Sequence, residues 1–148
     1  MNFFEKIRSM VWAEKKEVAM AVAFLFRGNA YILDEFDIDF RQDTDDKNQP
    51  NSETYGGLIT ITTSDVPDEF LTAWMMNLHE TRDGEIRFIP NADKMEEGTA
   101  LYVSFKDAYC ISYQKVIHPS GVGTQTTLII SPRYVKIGGE EFENKWKT

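Results

Sequence analysis

Between Leu101 and Ile137, apolar and polar positions alternate along two long runs separated by a short break. Leu101, Val103 and Phe105 point one way and Tyr102, Ser104 and Lys106 the other, the two-residue period of a half-buried strand. The strand continues through Ala108, Cys110 and Ser112, with Tyr109, Ile111 and Tyr113 opposite them. Past Asp107 both sets are largely apolar or neutral, which predicts cover on both faces. The break, His118 to Gly123, holds Pro119, Gly121 and Gly123, residues that supply the dihedrals of a reversal. The return run, Thr124 to Ile137, is dense in Thr, Ile, Val and Tyr, which pack well on a pleated surface. Pro132 inside it has no N–H to donate and predicts an edge position or a bulge.

The rest of the chain follows the same two-residue period, with one exception. Val18 to Phe26 is an apolar strand, Arg27, Gly28 and Asn29 form a tight hairpin turn, and Ala30 to Gln42 returns. In the returning strand Ile32, Asp34, Phe36, Ile38 and Phe40 are expected on one face and Leu33, Glu35, Asp37 and Asp39 on the other, toward solvent. Asp43 to Gly57 reads as a long polar loop, and Leu58 to Thr63 as a strand. The exception is the helix expected from Asp65 to about Leu78. Asp65 reads as its cap, Pro67 lies in its first turn, and Phe70, Leu71, Trp74, Met75 and Leu78 form one apolar stripe at helical spacing. Asp83-Gly84 predicts a hairpin turn. Glu85 to Ile89 is a strand, Pro90 to Gly98 a polar loop, and Glu140 to Trp146 a last short strand after Gly138-Gly139. Ahead of all this, Phe3, Phe4, Ile7, Met10 and Val11 fall near helical spacing, with Asn2 as a cap, so residues 1–17 read as an extension that orders against a partner surface. Residues 18–148 form a single domain. The fold class is mainly β: a small closed or nearly closed antiparallel β-barrel with one flanking α-helix.

Composition narrows what such a domain does. The net charge of −8 disfavours nucleic acid and anionic membrane surfaces, which repel an acidic protein. The single cysteine rules out an internal disulfide. No apolar run approaches the roughly 20 residues of a membrane-spanning helix.

No constellation with chemistry emerges. His79 and His118 lack metal-ligand spacing to each other or to Cys110. Cys110 reads as a buried inert thiol and not as half of a Cys/His pair. Asp43, Asp45 and Asp46 resemble the opening of a calcium loop, but the positions that need Gly and Glu hold Asn48 and Thr54. Gly56-Gly57 is not followed by the Lys-Ser or Lys-Thr of a phosphate loop. The expectation is no enzyme, no cofactor and no metal. A loop of some fifteen residues is too long for a simple connection. Asp43 to Gly57 is therefore expected to project, with Tyr55 as its aromatic anchor on a partner.

Five segments carry a resemblance: KDAYCISY (Lys106 to Tyr113), TQTTLIIS (Thr124 to Ser131), VKIGGEEFENKW (Val135 to Trp146), QPNSETYGGLITI (Gln49 to Ile61), and AWMMN with the following DGEI (Ala73 to Asn77, Asp83 to Ile86). In this order they look like the Bacteroidetes branch of the haemolysin-coregulated protein family, whose members are tube subunits of the type VI secretion system. Two departures stand out. The family's usual Gly-Arg-Pro-Ser-Ser is Asn48, Gln49, Pro50, Asn51, Ser52 here, without the arginine. A frequent histidine near the C-terminus is Phe142.

The resemblance implies a six-membered ring, rings stacked into a tube, and a lumen that carries effectors. It implies partners in the contractile sheath, the spike protein and the effectors. It also implies a cytoplasmic location before firing and secretion to the extracellular space or a target cell afterwards. The inter-ring contact would come from Gln49, Pro50, Asn51, Ser52, Glu53, Thr54 and Tyr55. The departures leave room for a paralogue that carries effectors without building the main tube. From the residues alone, a competing class is a small-molecule-binding barrel, which would keep a cavity where a tube subunit is filled with side chains.

Overall fold

Antiparallel pairing runs unbroken around a ring of six strands in the computed structural model, which describes residues 20–65, 69–77, 79–90, 102–121 and 123–146. The expected helix within residues 1–17 and the loop of residues 91–98 lie outside the described residues. The elements are β1 (Met20–Phe26), β2 (Asn29–Arg41), β3 (Tyr55–Thr63), α1 (Glu69–Met76), β4 (Arg82–Pro90), β5 (Tyr102–His118), β6 (Gly123–Ile137) and β7 (Glu140–Glu143). The order β3-β2-β1-β4-β5-β6 closes because β3 also pairs with β6, Ile59 opposite Ile130 and Thr63 opposite Thr126. Closure removes the open edges that an antiparallel sheet otherwise exposes.

The β1–β2 hairpin forms as expected, with φ of 52° at Arg27 and 81° at Gly28, the left-handed pair of a two-residue turn that matches strand twist. The single alternating face expected for β2 is not observed. A bulge at Asp34 shifts the register between Leu33 and Glu35. Tyr31 and Leu33 before it, and Phe36, Ile38 and Phe40 after it, all join the core. One extra residue in a strand flips every side chain beyond it.

Asp83-Gly84 likewise makes no hairpin turn. Both residues lie inside β4, where the register shifts between Arg82 and Gly84. The Asp83 Oδ1 accepts the Asp107 N–H at 2.9 Å. A Cβ on Gly84 would stand 2.5 Å from Phe105 Cζ, so the glycine is there to let a buried ring approach the backbone.

The interior is filled with aromatic rings. Phe24 stacks with Phe26 at 5.5 Å and lies 6.2 Å from Phe105, while Trp74 from α1 stacks on Phe26 at 4.7 Å and on Phe105 at 6.3 Å. Offset stacking at these centroid distances adds to the gain from burial alone. The helix closes the barrel end at which β1 turns into β2. Leu71 and Trp74 are buried, Trp74 Nε1–H donates to the Ala108 carbonyl at 3.1 Å, and the Arg27 guanidinium lies 4.4 Å over the Phe70 ring. Asp65, expected as the helix cap, has its Oδ2 on the Ile32 N–H at 2.7 Å and so ties the chain just after β3 to β2.

At the other end, β3 and β6 diverge. The β3 pairing on β6 stops at Ile130 and the β7 pairing starts at Tyr134. Pro132 occupies the gap between them, an internal edge where a missing N–H is tolerated. Beyond it β7 covers the seam. Phe142 meets Phe40 edge-on at 5.0 Å, and Asn144 Nδ2–H donates to the Gly56 carbonyl at 3.0 Å.

The second half of β5 departs from expectation. Pairing with β4 reaches only Ala108, and the β5–β6 hairpin runs on past the barrel. Ile111, Val116 and Ile117 are exposed, and Gln114 to His118 face solvent throughout, so this half is not covered on both faces. No strand among the described residues pairs with Tyr109–His118 on the β4 side.

Candidate functional site

Residues 42–54 connect β2 to β3 at the barrel end opposite α1. Their sequence is polar, yet they are folded. Thr44 and Pro50 form an isolated antiparallel bridge. Asp45 organises the tip: its Oδ1 accepts the N–H groups of Lys47 at 2.8 Å and Gln49 at 2.9 Å, its own N–H donates to the Gln49 carbonyl at 2.8 Å, and its carbonyl accepts the Asn48 N–H at 3.1 Å. Asn48 takes a left-handed φ of 63°, which asparagine tolerates better than most residues. At the base, the Asn51 N–H donates to the Asp43 carbonyl at 2.8 Å and the Asp43 N–H to Ser52 Oγ at 2.7 Å. Gln42 Nε2–H donates to Thr54 Oγ1 at 2.8 Å. The result is a stiff projecting finger, held by its own backbone and a side-chain acceptor that mimics a turn.

Of the expected contact residues, Gln49 and Pro50 lie at the tip. Asn51, Ser52, Glu53 and Thr54 form the returning side. Tyr55 is not in the loop: it is the first residue of β3, opposite Arg41. Its ring is exposed while its hydroxyl donates to Asp43 Oδ1 at 2.9 Å. That hydrogen bond to a carboxylate, together with the nearby negative charge, holds the Tyr55 hydroxyl above its usual pKa of 10.0. Asp43 and Asp45, which build the finger, were not among the expected contact residues.

Replacing Asp45 with alanine removes two hydrogen bonds to a charged acceptor. It should lower the local opening free energy of the finger by about 2 kcal/mol. Amide exchange at Lys47 and Gln49 should then speed up about thirtyfold. The melting transition should not move, because the barrel does not depend on the finger.

The other candidates fall away from each other. Cys110 is buried, and burial pushes its thiol up to about 11, away from the reactive thiolate. His118 is eight residues further along the same strand, about 26 Å at 3.3 Å per residue. Among the described residues no group of three or more His, Cys, Asp or Glu is placed to hold a metal ion, and no helix is long and apolar enough to cross a membrane. In the interior, the rings of Phe24, Phe26, Trp74 and Phe105 pack on one another. A groove of about 800 Å³ lies on the outer face of β5, β6 and β7, lined by Tyr102, Tyr134, Lys106, Lys136, Glu141 and Glu143 among others.

A family model described as Hemolysin coregulated protein Hcp (TssD) matches residues 18–147. Among solved structures, Hcp1 from Flavobacterium johnsoniae is similar at 29% identity and a TM-score of 0.74, covering 84% of this chain and 99% of its own. Hcp1 from Salmonella typhimurium, at 11% identity and TM-score 0.63 over 84% of this chain and 92% of its own, shares the fold. So does a second protein, titled simply Hcp, at 12% identity and TM-score 0.64 over 86% and 98%. No curated protein matches the chain.

Proposed function

This chain belongs to the haemolysin-coregulated protein (Hcp, TssD) family, and from that membership we propose that it is a structural subunit of the type VI secretion inner tube. In this reading it assembles into hexameric rings that stack and carry effectors. It resides in the cytoplasm before firing and leaves the cell with the tube, and its partners are its own copies, the sheath, the spike and the cargo.

The observation that carries the reading is the β5 edge. Tyr109 to His118 extends past β4 with its ladder unpaired on that side among the described residues, and with Ile111, Val116 and Ile117 exposed. Such an edge is a template for a neighbouring chain. Pairing it with a different surface on the next copy repeats around an axis and closes a ring. Two further features support the reading. The finger and the β5–β6 hairpin leave the barrel from opposite ends, so rings stacked in one direction would bring the finger of one against the hairpin end of the next. The packed rings of the interior fit a part whose barrel is built for structure.

Native mass spectrometry at micromolar concentration tests the assembly. A six-chain species is expected, and a strict monomer at every concentration would refute it. Replacing residues 43–54 with Gly-Gly should leave that species intact while abolishing stacks in electron micrographs. Stacks as frequent as in the parent would mean that the finger is not the stacking element.

A further inference from the structure

On the outer wall of the barrel, side chains from four neighbouring strands stand in register. Glu85 of β4 lies opposite Ser104 of β5, Ser104 opposite Lys136 of β6, and Lys136 opposite Glu141 of β7. The next row is Lys106, Tyr134 and Glu143, and Tyr102 stands two residues before Ser104. These side chains point away from the core because Ile86, Val103, Phe105, Val135 and Phe142, which alternate with them, pack into it. Together they line the groove of about 800 Å³. A concavity of that size is large enough to hold a small ligand. Both tyrosine rings are exposed. Tyr134 sits opposite Lys106, four residues past Tyr102, so the two rings mark positions about 13 Å apart along the strand. The Arg87 guanidinium lies 5.9 Å from the Tyr102 ring and that of Arg133 5.6 Å from the Tyr134 ring, so a cation steadies each.

We propose that this groove binds a neutral, linear oligosaccharide that stacks on both tyrosines. The charges select a neutral ligand. Glu85 is paired with Arg87 at 3.2 Å, and Glu143 lies 3.9 Å from Arg133. Lys106, Lys136 and Glu141 have no ion-pair partner among the described residues. An anion is drawn by the ammonium groups and repelled by the carboxylates, and a cation meets the reverse. A hydroxyl suits both, because it donates to a carboxylate and accepts from an ammonium. A peptide strand is a poorer occupant. Along the groove β5 and β6 are each hydrogen-bonded to a strand on either side, so its floor offers no free edge to extend. A nucleic acid strand would carry its phosphates past Glu85, Glu141 and Glu143. Two flat aromatic platforms joined by polar side chains match a chain of rings with apolar faces and hydroxyl rims. The site is complete within one copy, so it does not depend on the tube reading.

Titration calorimetry of the full chain with cellotetraose and with chitotetraose tests the site. Saturable binding of at least one of them is expected. The disaccharide of the same series should bind about tenfold or more weakly, because it cannot reach both rings. Tyr102→Ala and Tyr134→Ala should each weaken the tetrasaccharide about tenfold, with the melting temperature little changed because both rings are exposed. Added salt should leave the affinity where it was. Failure of both tetrasaccharides to bind would overturn the proposal, as would affinity undiminished in both tyrosine variants. Tighter binding of polyglutamate or heparin that fades with salt would overturn it too, and would make the groove an anion site. If an alanine variant does not fold, Tyr102→Leu and Tyr134→Leu remove the flat ring with a smaller loss of volume and are read in the same way.

Discussion

Truncating Trp74 to alanine should destabilise the barrel by about 3–5 kcal/mol in chemical denaturation, the range for emptying a large aromatic site. Trp74 stacks on two rings of the interior, Phe26 and Phe105, and is 2% exposed. Its removal leaves a void that stacked aromatics cannot collapse into, because each is already held by another ring. It also strands the Ala108 carbonyl, which accepts the indole N–H in a buried site. For a chain of this size each kcal/mol moves the melting temperature by about 2–4 °C, so a drop of roughly 10 °C is expected. Trp74→Phe separates the two causes. It keeps most of the stacking and loses the hydrogen bond, so it should cost about 1–3 kcal/mol. Equal losses in the two variants would mean that the hydrogen bond, and not the ring volume, dominates.

Gly84→Ala carries the second large effect, from one added methyl group. The new Cβ would fall 2.5 Å from Phe105 Cζ, 3.0 Å from Cε2 and 3.2 Å from the Leu25 carbonyl. No side chain is accommodated at the first distance, and Phe105 cannot retreat because Phe24 and Trp74 lie against it. A cost of about 1–3 kcal/mol is expected, toward the upper end. Phe105→Leu shortens the offending ring. The double variant should therefore be less destabilised than the sum of the two single ones. Additive losses would show that Gly84 is needed for its backbone conformation and not for the approach of the ring.

Gly84 also shows where reading the sequence stops. Asp-Gly is a strong local turn signal, and nothing in its immediate neighbours announces that a phenylalanine twenty-one residues later needs the space. The bulge at Asp34 is similar. The alternation of β2 looks continuous in sequence, and the face changes only because Leu33 and Glu35 find successive partners, Thr63 and Thr62, on another strand. The exposed end of β5 is hidden from a sequence reading for the same reason: its cover depends on where β4 ends. Strand identity, the β1–β2 turn and the apolar stripe of α1 were legible, since period and turn chemistry are local. Of the finger, its existence and projection could be read from polarity and length. The fold within it could not, because that rests on one carboxylate, Asp45, accepting two backbone N–H groups that the acidic run Asp43, Asp45 and Asp46 does not single out.

The seam between β3 and β6 governs how this chain reaches its native state. Thr62 and Thr127, whose hydroxyls meet at 3.0 Å across that seam, are 65 residues apart, and Asn144 reaches back 88 residues to Gly56. Chain entropy must be lost before either contact forms, and a barrel joined at such distances folds in milliseconds to seconds, slower than helical proteins of equal length. Until the seam shuts, the inner faces of the early hairpin and the edge of β3 stand open. The period of greatest risk for wrong association is therefore before closure, while every copy still offers an unpaired β3.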